Sequence, residues 1–517
     1  MWETKVMTTR AISFAALITA SCLMGTAVHA KPKAPLGQFQ QQRDIGDTHF
    51  KGATAYTPKT GTYRITASGT NIWGKSDAFH FVAKPASGNI AIAANVTWAT
   101  KGGDPHRKAG VMIRQSLAPD SPYADLVVHG NGLVSLQYRE VTGGDTHEIQ
   151  SNIANASRLR LERQGDYVYM SVAGPDGVLR HAGGVFRLKL DGPFQIGVAV
   201  CAHNNAVKET AVLSKVEITP LPAPPIAKGY GDKVESTLET IDIASSDRHV
   251  VYHTTDHIEA PNWTPDGKSF VFNEEGSIYT LPVTGGTAIK LDTGGLHKIN
   301  NDHGISPDGK QLVISDQTST DNQSRVYILP LTGGTPRQVT EQGPSYWHGW
   351  SPDGKTLAVI ANRGGDYDVY AIPAAGGPET RLTTTPGLDD GSEYSPDGQW
   401  IYFNSVRSGN MKIWRMHADG SNPQQVTFGD DSRDWFPHVS PDGNWIAFVS
   451  FGTDVTVGDH PPDRDVMLKI MPVPKDRETS GEPRIFTRLF GGQGTMNVPS
   501  WSPDSRSVAF VSYRVVP

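Results

Sequence analysis

Six copies of one four-residue turn punctuate the second half of this chain. They are Thr264-Pro265-Asp266-Gly267, Ser306-Pro307-Asp308-Gly309, Ser351-Pro352-Asp353-Gly354, Ser395-Pro396-Asp397-Gly398, Ser440-Pro441-Asp442-Gly443 and Ser502-Pro503-Asp504-Ser505. Their first residues are 42, 45, 44, 45 and 62 positions apart. Proline presets the backbone angle of the second turn position, aspartate bonds its own backbone and glycine accepts a positive φ. A self-similar period of this length with β-type segments between the turns is the sequence pattern of a propeller.

An apolar strand follows each turn, for example Ser269-Phe270-Val271-Phe272 or Trp400-Ile401-Tyr402-Phe403, then a loop and a third strand such as Val326-Tyr327-Ile328-Leu329-Pro330. A Gly-Gly turn and a fourth strand complete the unit. The sixth hairpin, Trp501 to Tyr513, has no outer strands after it, whereas an orphan pair, Leu238 to His253, precedes the first turn. The expectation is six blades over residues 233–517, closed by exchange of strands between the two ends, which removes the unpaired edges of an open ring. An insertion, Gly452 to Asp465, lengthens the last interval. It reads as a solvated lid whose Asp454, Asp459, His460, Asp463 and Asp465 lack a standard Ca²⁺-ligand spacing.

The formal charge of -6 and pI near 6.3 leave no basic footprint, so nucleic acid is not an expected partner. Residues 1–30 read as a signal peptide: Lys5 and Arg10 precede the apolar run Ala11 to Met24, and Val28-His29-Ala30 offers a small-residue cleavage site. The run is short for a bilayer span and no other long apolar stretch occurs, so a periplasmic or secreted protein without a transmembrane segment is expected. Cys22 suggests lipoprotein anchoring, but Thr19-Ala20-Ser21 lacks the aliphatic residue that goes with it. Cys201, in an apolar run, reads as a buried strand residue and not a nucleophile.

Residues 40–218 alternate as short strands without a helical period, which favours a sandwich. Leu159 to Arg163, Gly165-Asp166 and Tyr167 to Val172 read as a hairpin. The Pro-rich stretch within 219–232 reads as an extended linker. Trp73-Gly74-Lys75-Ser76-Asp77-Ala78-Phe79-His80-Phe81 and Lys108-Ala109-Gly110-Val111-Met112-Ile113-Arg114 resemble the concanavalin A-like jelly-roll modules attached to bacterial carbohydrate-active proteins. That resemblance implies glycan contact through Trp73, Trp98, Tyr123 or Tyr138, against a competing reading of Trp73 and Phe79 as core. His80, between two phenylalanines, reads as a surface or satisfied core residue.

The repeats over 235–515 resemble the TolB-type propeller repeat, which also occurs in peptidase propellers and oligogalacturonate lyases. The repeat therefore implies fold and leaves activity open. The expected fold class is all-β, a concanavalin A-like sandwich followed by a six-bladed TolB-like propeller.

Chemistry is expected on the innermost strands, just before each turn, where histidine or carboxylate occurs in five of the six segments. Counted back from the turn, His303 and His348 are equivalent, and so are Glu393 and His438. Aligned in this way, they form a nitrogen and oxygen set for one divalent metal ion such as Mn, Zn, Fe or Ca. The likeness to oligogalacturonate lyases implies a metal that neutralises a uronate carboxylate, with His257, Glu259 and Asp302 as acid–base candidates. Arg363 and Arg407 would pair a substrate carboxylate, with Asn262, Trp347, Asp390 and Trp435 as further substrate contacts. The opposing reading is a hydrogen-bonded network around a water-filled channel. Trp263, Trp350, Tyr394 and Trp501, directly before their turns, read as packing between blades. Two functions follow: an exported protein that binds and cleaves a glycan, acidic ones included, as lyase or hydrolase; or a non-catalytic TolB-like scaffold that binds an envelope protein.

Overall fold

The computed structural model describes residues 36–229, 231–475 and 481–516. The expected signal peptide and Cys22 lie outside these residues. Among them the regular elements are all strands, and no helix is long and apolar enough to cross a membrane.

The N-terminal part is two antiparallel sheets over one core. One runs in the order Gln41–Ile45, Phe79–Ala86, Phe194–Cys201, Lys108–Arg114, Tyr123–His129, Val134–Arg139, His147–Gln150. The other is built around Arg158–Gln164, Ile90–Trp98 and Glu209–Pro220. Alternate residues of both, such as Val111, Ile113, Leu126 and Leu136 facing Ile92, Leu159 and Leu161, form one apolar cluster, as period-two strands require. The expected hairpin forms, with Gln164 opposite Tyr167 and Gly165 at φ 61°. Phe79 is buried in a second cluster with Phe81 and Met112, apart from the core between the sheets, and His80 is buried with its Nδ1 2.7 Å from Asp44 Oδ1. Tyr123 and Tyr138, expected to face a glycan, are interior instead, and the guanidinium of Arg107 covers Trp98 at 4.2 Å. Cys201 is buried and its thiol is pushed up to about 12, chiefly by burial.

In the C-terminal part, five four-stranded antiparallel sheets follow one another, beginning at Ile258, Ile299, Ser345, Asp389 and Arg433; we number them blades 1 to 5. The turns join the first strand of each to the second, as expected. The leading serine adds a lock of its own: Ser306 Oγ donates to Asp308 Oδ1 (2.7 Å) and accepts from Gln311 N (2.9 Å), while Gly309 sits at φ 70°. At the sixth turn Ser505 replaces glycine at φ 60°, and its hydroxyl accepts from Asp442 N of the neighbouring turn.

The expected sixth blade departs from the other five. Ser507–Val515 pairs with Val234–Asp242 over nine residue pairs, so the two ends of the propeller exchange strands as the orphan pair implied. On the inner side Trp501 bridges to Val508 outside any regular strand, and the outer strand Arg248–Thr254 pairs in parallel with His147–Gln150 of the N-terminal sheet. These strands therefore belong to one ten-stranded sheet shared with the sandwich, and the separate four-stranded blades number five, not six. The physical reason is edge pairing: the outer strand's free hydrogen-bonding edge is covered by a sandwich strand. Arg248 seals the junction. Its guanidinium is bidentate to Glu239 (2.6 and 3.0 Å) and donates to Val185 O of the N-terminal part (3.0 Å), with both charged side chains fully buried.

Candidate functional site: the channel cavity

Every inner strand of the five blades carries a bulge, and the bulges differ in length. In blade 2 residues 300 to 302 intervene between the pairs Ile299–Asp316 and His303–Ile314; in blade 3 the single residue His348 intervenes between Trp347–Val359 and Gly349–Ala358. A bulged residue leaves the ladder and re-aims its side chain. Positions equal in distance from the turn therefore do not point the same way.

This splits the expected metal quartet. His303 is paired in the strand and fully buried, and neither ring nitrogen has a hydrogen-bond partner among the described residues; burial lowers it to about 4. Glu393 and His438 pair with each other, Nδ1 to Oε2 at 2.6 Å, and Glu393 also accepts from Val439 N, a clasp between blades 4 and 5. His348 binds other carboxylates. No group of three or more His, Cys, Asp or Glu with metal-holding geometry occurs among the described residues.

What the bulges bring together is Asp302, His348 and Asp390, from blades 2, 3 and 4. His348 Nε2 lies 3.1 Å from Asp390 Oδ1 and 3.8 Å from Asp302 Oδ1. The imidazole stacks on Phe436 (centroids 6.0 Å, planes 12° apart), a bulge residue at φ 53°. His460 adds a fourth member, its Nε2 3.9 Å from Asp390 Oδ2 and its ring edge-on to Trp435 at 4.4 Å. Asn300 Nδ2 donates to Asp302 Oδ2 and Gly391 N to Asp390 Oδ1, both at 2.7 Å.

The group forms the floor of a cavity of about 590 Å³. Gln317 and Asp366, from loops after the second strands, and Asn362, the last residue of the second strand of blade 3, form part of its wall, so it opens at the channel end opposite the turns. Tyr346, Tyr367 and Phe436 add aromatic surface, and among the described residues no lysine or arginine lines it.

Burial raises Asp302 to about 7, with the charge of His348 pulling the other way. For His348, burial disfavours the imidazolium, but Asp302 and Asp390 outweigh it and hold the ring above its ordinary range. Burial would lift Asp390 too, yet the hydrogen bond and charge of His348 keep it below the usual carboxylate range. The floor thus joins an imidazole whose charged form is favoured to one carboxyl held towards its ionised form and a second that burial holds towards its protonated form.

The other expected site residues lie elsewhere. Arg363 is held by Glu379 (2.8 Å), Pro344 O and Ser345 Oγ. Arg407 binds Asp389 at 2.8 Å and stacks on Phe403 and Trp414. Both are engaged within their blades, because a guanidinium buried beside a carboxylate is satisfied there and is not available to a ligand. Asn262, Trp347 and Glu393 line a smaller cavity of about 220 Å³ at the turn end, where Asn262 donates to Pro499 O at 2.8 Å. Trp347 and Trp435 are 1% and 0% exposed, walls of the channel and not open stacking faces. Trp347 packs so closely that a Cβ on Gly304 would lie 2.0 Å from its ring. Glu259 is raised by burial, and its field reaches Asp302 and Asp463; His257 packs on Tyr513 (5.1 Å). Tyr394 clusters with Ala358 and Ile360 of blade 3 and Trp501 Nε1 donates to His438 O of blade 5, packing between blades as expected, whereas Trp263 meets Phe270 of its own blade at 4.5 Å.

His460 was legible only as part of a polar insertion. Its backbone leads into the lengthened strand Pro462–Pro472 of blade 5, and that extra length brings the ring over the channel. Tyr346, Tyr367 and Phe436 carry no motif at all.

Comparison with known proteins places this architecture. Residues 322–467 match the TolB beta propeller domain model. An uncharacterized protein of Agrobacterium fabrum is 47% identical over 291 residues, which is 56% of this chain and 96% of that protein. A solved structure described as a candidate TolB from Agrobacterium tumefaciens superposes with a TM-score of 0.52 at 47% identity, covering 55% of this chain and 99% of that one. The Tol-Pal system protein TolB of Francisella tularensis is 26% identical over 234 residues, 43% of this chain; the chain spans about half, 52%, of that relative's length. Oligogalacturonate lyase from Vibrio parahaemolyticus stands at 15% identity and a TM-score of 0.35, too low to transfer any residue's role. The chain belongs to the TolB-like β-propeller proteins.

Proposed function

We propose that this protein is a non-catalytic, exported binding protein of the TolB kind, whose channel cavity takes a basic group of a partner polypeptide in the cell envelope. The observation that carries this reading is the composition of the cavity: Asp302, Asp366 and Asp390 with His348 and His460, aromatic walls, and no lysine or arginine among the described residues. Carboxylates in a recess favour a cation, and tyrosine and phenylalanine faces add cation–π attraction. Amide side chains from Asn300, Gln317 and Asn362 can pair a backbone segment around that group. The relatives named for the Tol-Pal system support an envelope partner and a periplasmic place.

The test is calorimetric titration of the protein with short peptides carrying lysine or arginine, against the same peptides carrying glutamate. Binding of the basic series alone, lost on Asp390→Ala, supports the reading. Equal binding of both series, or none, sinks it.

In this reading the exchanged strands close the five-bladed propeller against the N-terminal sandwich, and that sandwich is a concanavalin A-like module. The nine-pair exchange and the two sheets over one core support these assignments.

A glycan-cleaving function is the second reading, favoured by one observation: a carboxyl raised to about 7 beside an imidazole, a pair suited to proton transfer. An acidic glycan fits poorly, because Arg363 and Arg407 are spent on Glu379 and Asp389. Release of unsaturated or reducing ends from neutral polysaccharides, abolished by Asp302→Asn, would favour this reading over the first.

A further inference from the structure

A second large cavity, of about 560 Å³, lies where the sandwich, the linker and blade 5 meet. Junctions between domains are favoured places for ligand sites, and this volume is within their ~300–1,000 Å³ range. Register builds its floor. In the outer strand pair of blade 5, Asp465 is opposite Phe490 and Met467 opposite Arg488, so these four side chains share one face. Val466 and Leu468, of the other parity, join the core of blade 5. The sandwich supplies the facing wall, with the Tyr167 ring edge-on to Phe490 at 6.0 Å. Ile226 of the linker lines the rim, and at 85% it is the most exposed large apolar side chain among the described residues.

Asp463 is the group in this cavity that the fold does not satisfy. It is the bulged residue between the pairs Pro462–Gly492 and Arg464–Gly491, at φ 57°, and the bulge turns its side chain out of the ladder. It is 4% exposed, yet its Oδ1 accepts no hydrogen bond among the described residues. Buried carboxylates are ordinarily paired, and one left open carries a desolvation cost that a donor on a ligand removes. Burial raises it to about 6, against the charges of His257 and Arg464. The other charges divide into used and unused. Asp465 accepts from the Tyr167 hydroxyl and pairs with Arg187 at 3.4 Å. Arg488 acts on Glu140 of the sandwich through its charge and has no ion pair among the described residues. A ligand with a charge of one sign would therefore leave either Asp463 or Arg488 unmatched. Four steps of strand separate Asp463 from Met467, which faces Arg488, about 13 Å at the rise of a strand. Three or four extended residues span about 10–14 Å.

We propose that this cavity binds a short zwitterionic peptide, three or four residues long with apolar side chains. Its ammonium pairs with Asp463, its carboxylate with the guanidinium fork of Arg488, and its side chains cover Phe490, Met467 and Ile226. Such a peptide touches sandwich, linker and propeller at once, so occupancy holds the linker against blade 5.

The experiment titrates the full chain by calorimetry with an alanine–leucine tetrapeptide whose ends are free, and with its N-acetylated and C-amidated forms. The free-ended peptide is expected to bind one to one, and each blocked form about tenfold more weakly or worse. Asp463→Asn should remove the preference for a free N-terminus and Arg488→Gln the preference for a free C-terminus. Asp390→Ala, in the channel, should leave the affinity unchanged, which separates this site from the channel cavity. Limited proteolysis of the linker around Ile226 should slow when the peptide is bound. If Asp463→Asn does not fold, the blocked peptides on the parent protein decide the matter. The proposal is overturned if the free-ended peptide does not bind at millimolar concentration, if the blocked forms bind equally well, or if Asp390→Ala abolishes binding.

Discussion

His348 Nε2 lies 3.1 Å from Asp390 Oδ1, although the two residues stand at different distances from their turns, three positions before Ser351 and five before Ser395. A one-residue bulge in blade 3 meets a two-residue bulge in blade 4, and the channel floor follows from that mismatch.

Removing the imidazole leaves Asp302 and Asp390 facing each other without a counter-charge. His348→Leu should destabilise the protein by about 3 kcal/mol, in the range for breaking one side of a buried pair. The double variant His348→Leu, Asp390→Leu should recover part of that loss. Urea unfolding of both variants checks this; an unaltered midpoint for the single variant would show the pair to be energetically neutral.

The floor should also report pH. Asp302 has a folded value of about 7 against an ordinary 3.8, so the folded state keeps a proton that the unfolded chain releases. Its effect on stability is absent below pH about 4, grows as an expense as pH rises to about 7, and is constant above. In the binding reading, a basic peptide should bind more tightly above pH 7 than at pH 6, as Asp302 ionises. Asp302→Asn should flatten that step, and a step that survives in the variant assigns it to another group.

Gly304→Ala would place a methyl 2.0 Å from the Trp347 ring, deep between blades 2 and 3. Overpacking of this kind costs about 1–3 kcal/mol. A fall in melting temperature is expected, and Gly304→Ala combined with Trp347→Phe should restore some of it. If the single variant melts like the parent, blades 2 and 3 separate more freely than the packing implies.

Glu239 and Arg248 are buried together where the exchanged strands meet the sandwich. Glu239→Ala strands the guanidinium, an effect of about 3–5 kcal/mol. Limited proteolysis should then cut first in the linker, near 219–232, at a rate well above the parent's. Unchanged cleavage would mean that backbone pairing alone holds the junction.

Cys201, raised to about 12 and covered by Gly69 O and Ala78 O, should resist alkylation in the native protein. Peptide mapping after iodoacetamide treatment should find it modified only once denaturant is added.

Much of this was legible in the chain itself. The repeat and its proline, aspartate and glycine chemistry act within four residues, so the turns, the strand order within a blade and the exchange of end strands could be read without a structure. Asp302, His348 and Asp390 were also legible as polar residues on inner strands. Which of them meet was not, because a bulge is a local defect in strand pairing with no residue code of its own, and each one rotates the side chains beyond it. The same holds for Arg363 and Arg407, whose carboxylate partners come from tertiary packing, and for His460, which reaches the channel only because blade 5 is longer than its neighbours. The parallel pairing of Arg248 with Ile149 joins segments about a hundred residues apart and merges the expected sixth blade with the sandwich. Local turn chemistry determined the repeat, and only long-range pairing and burial decided which side chains share a site.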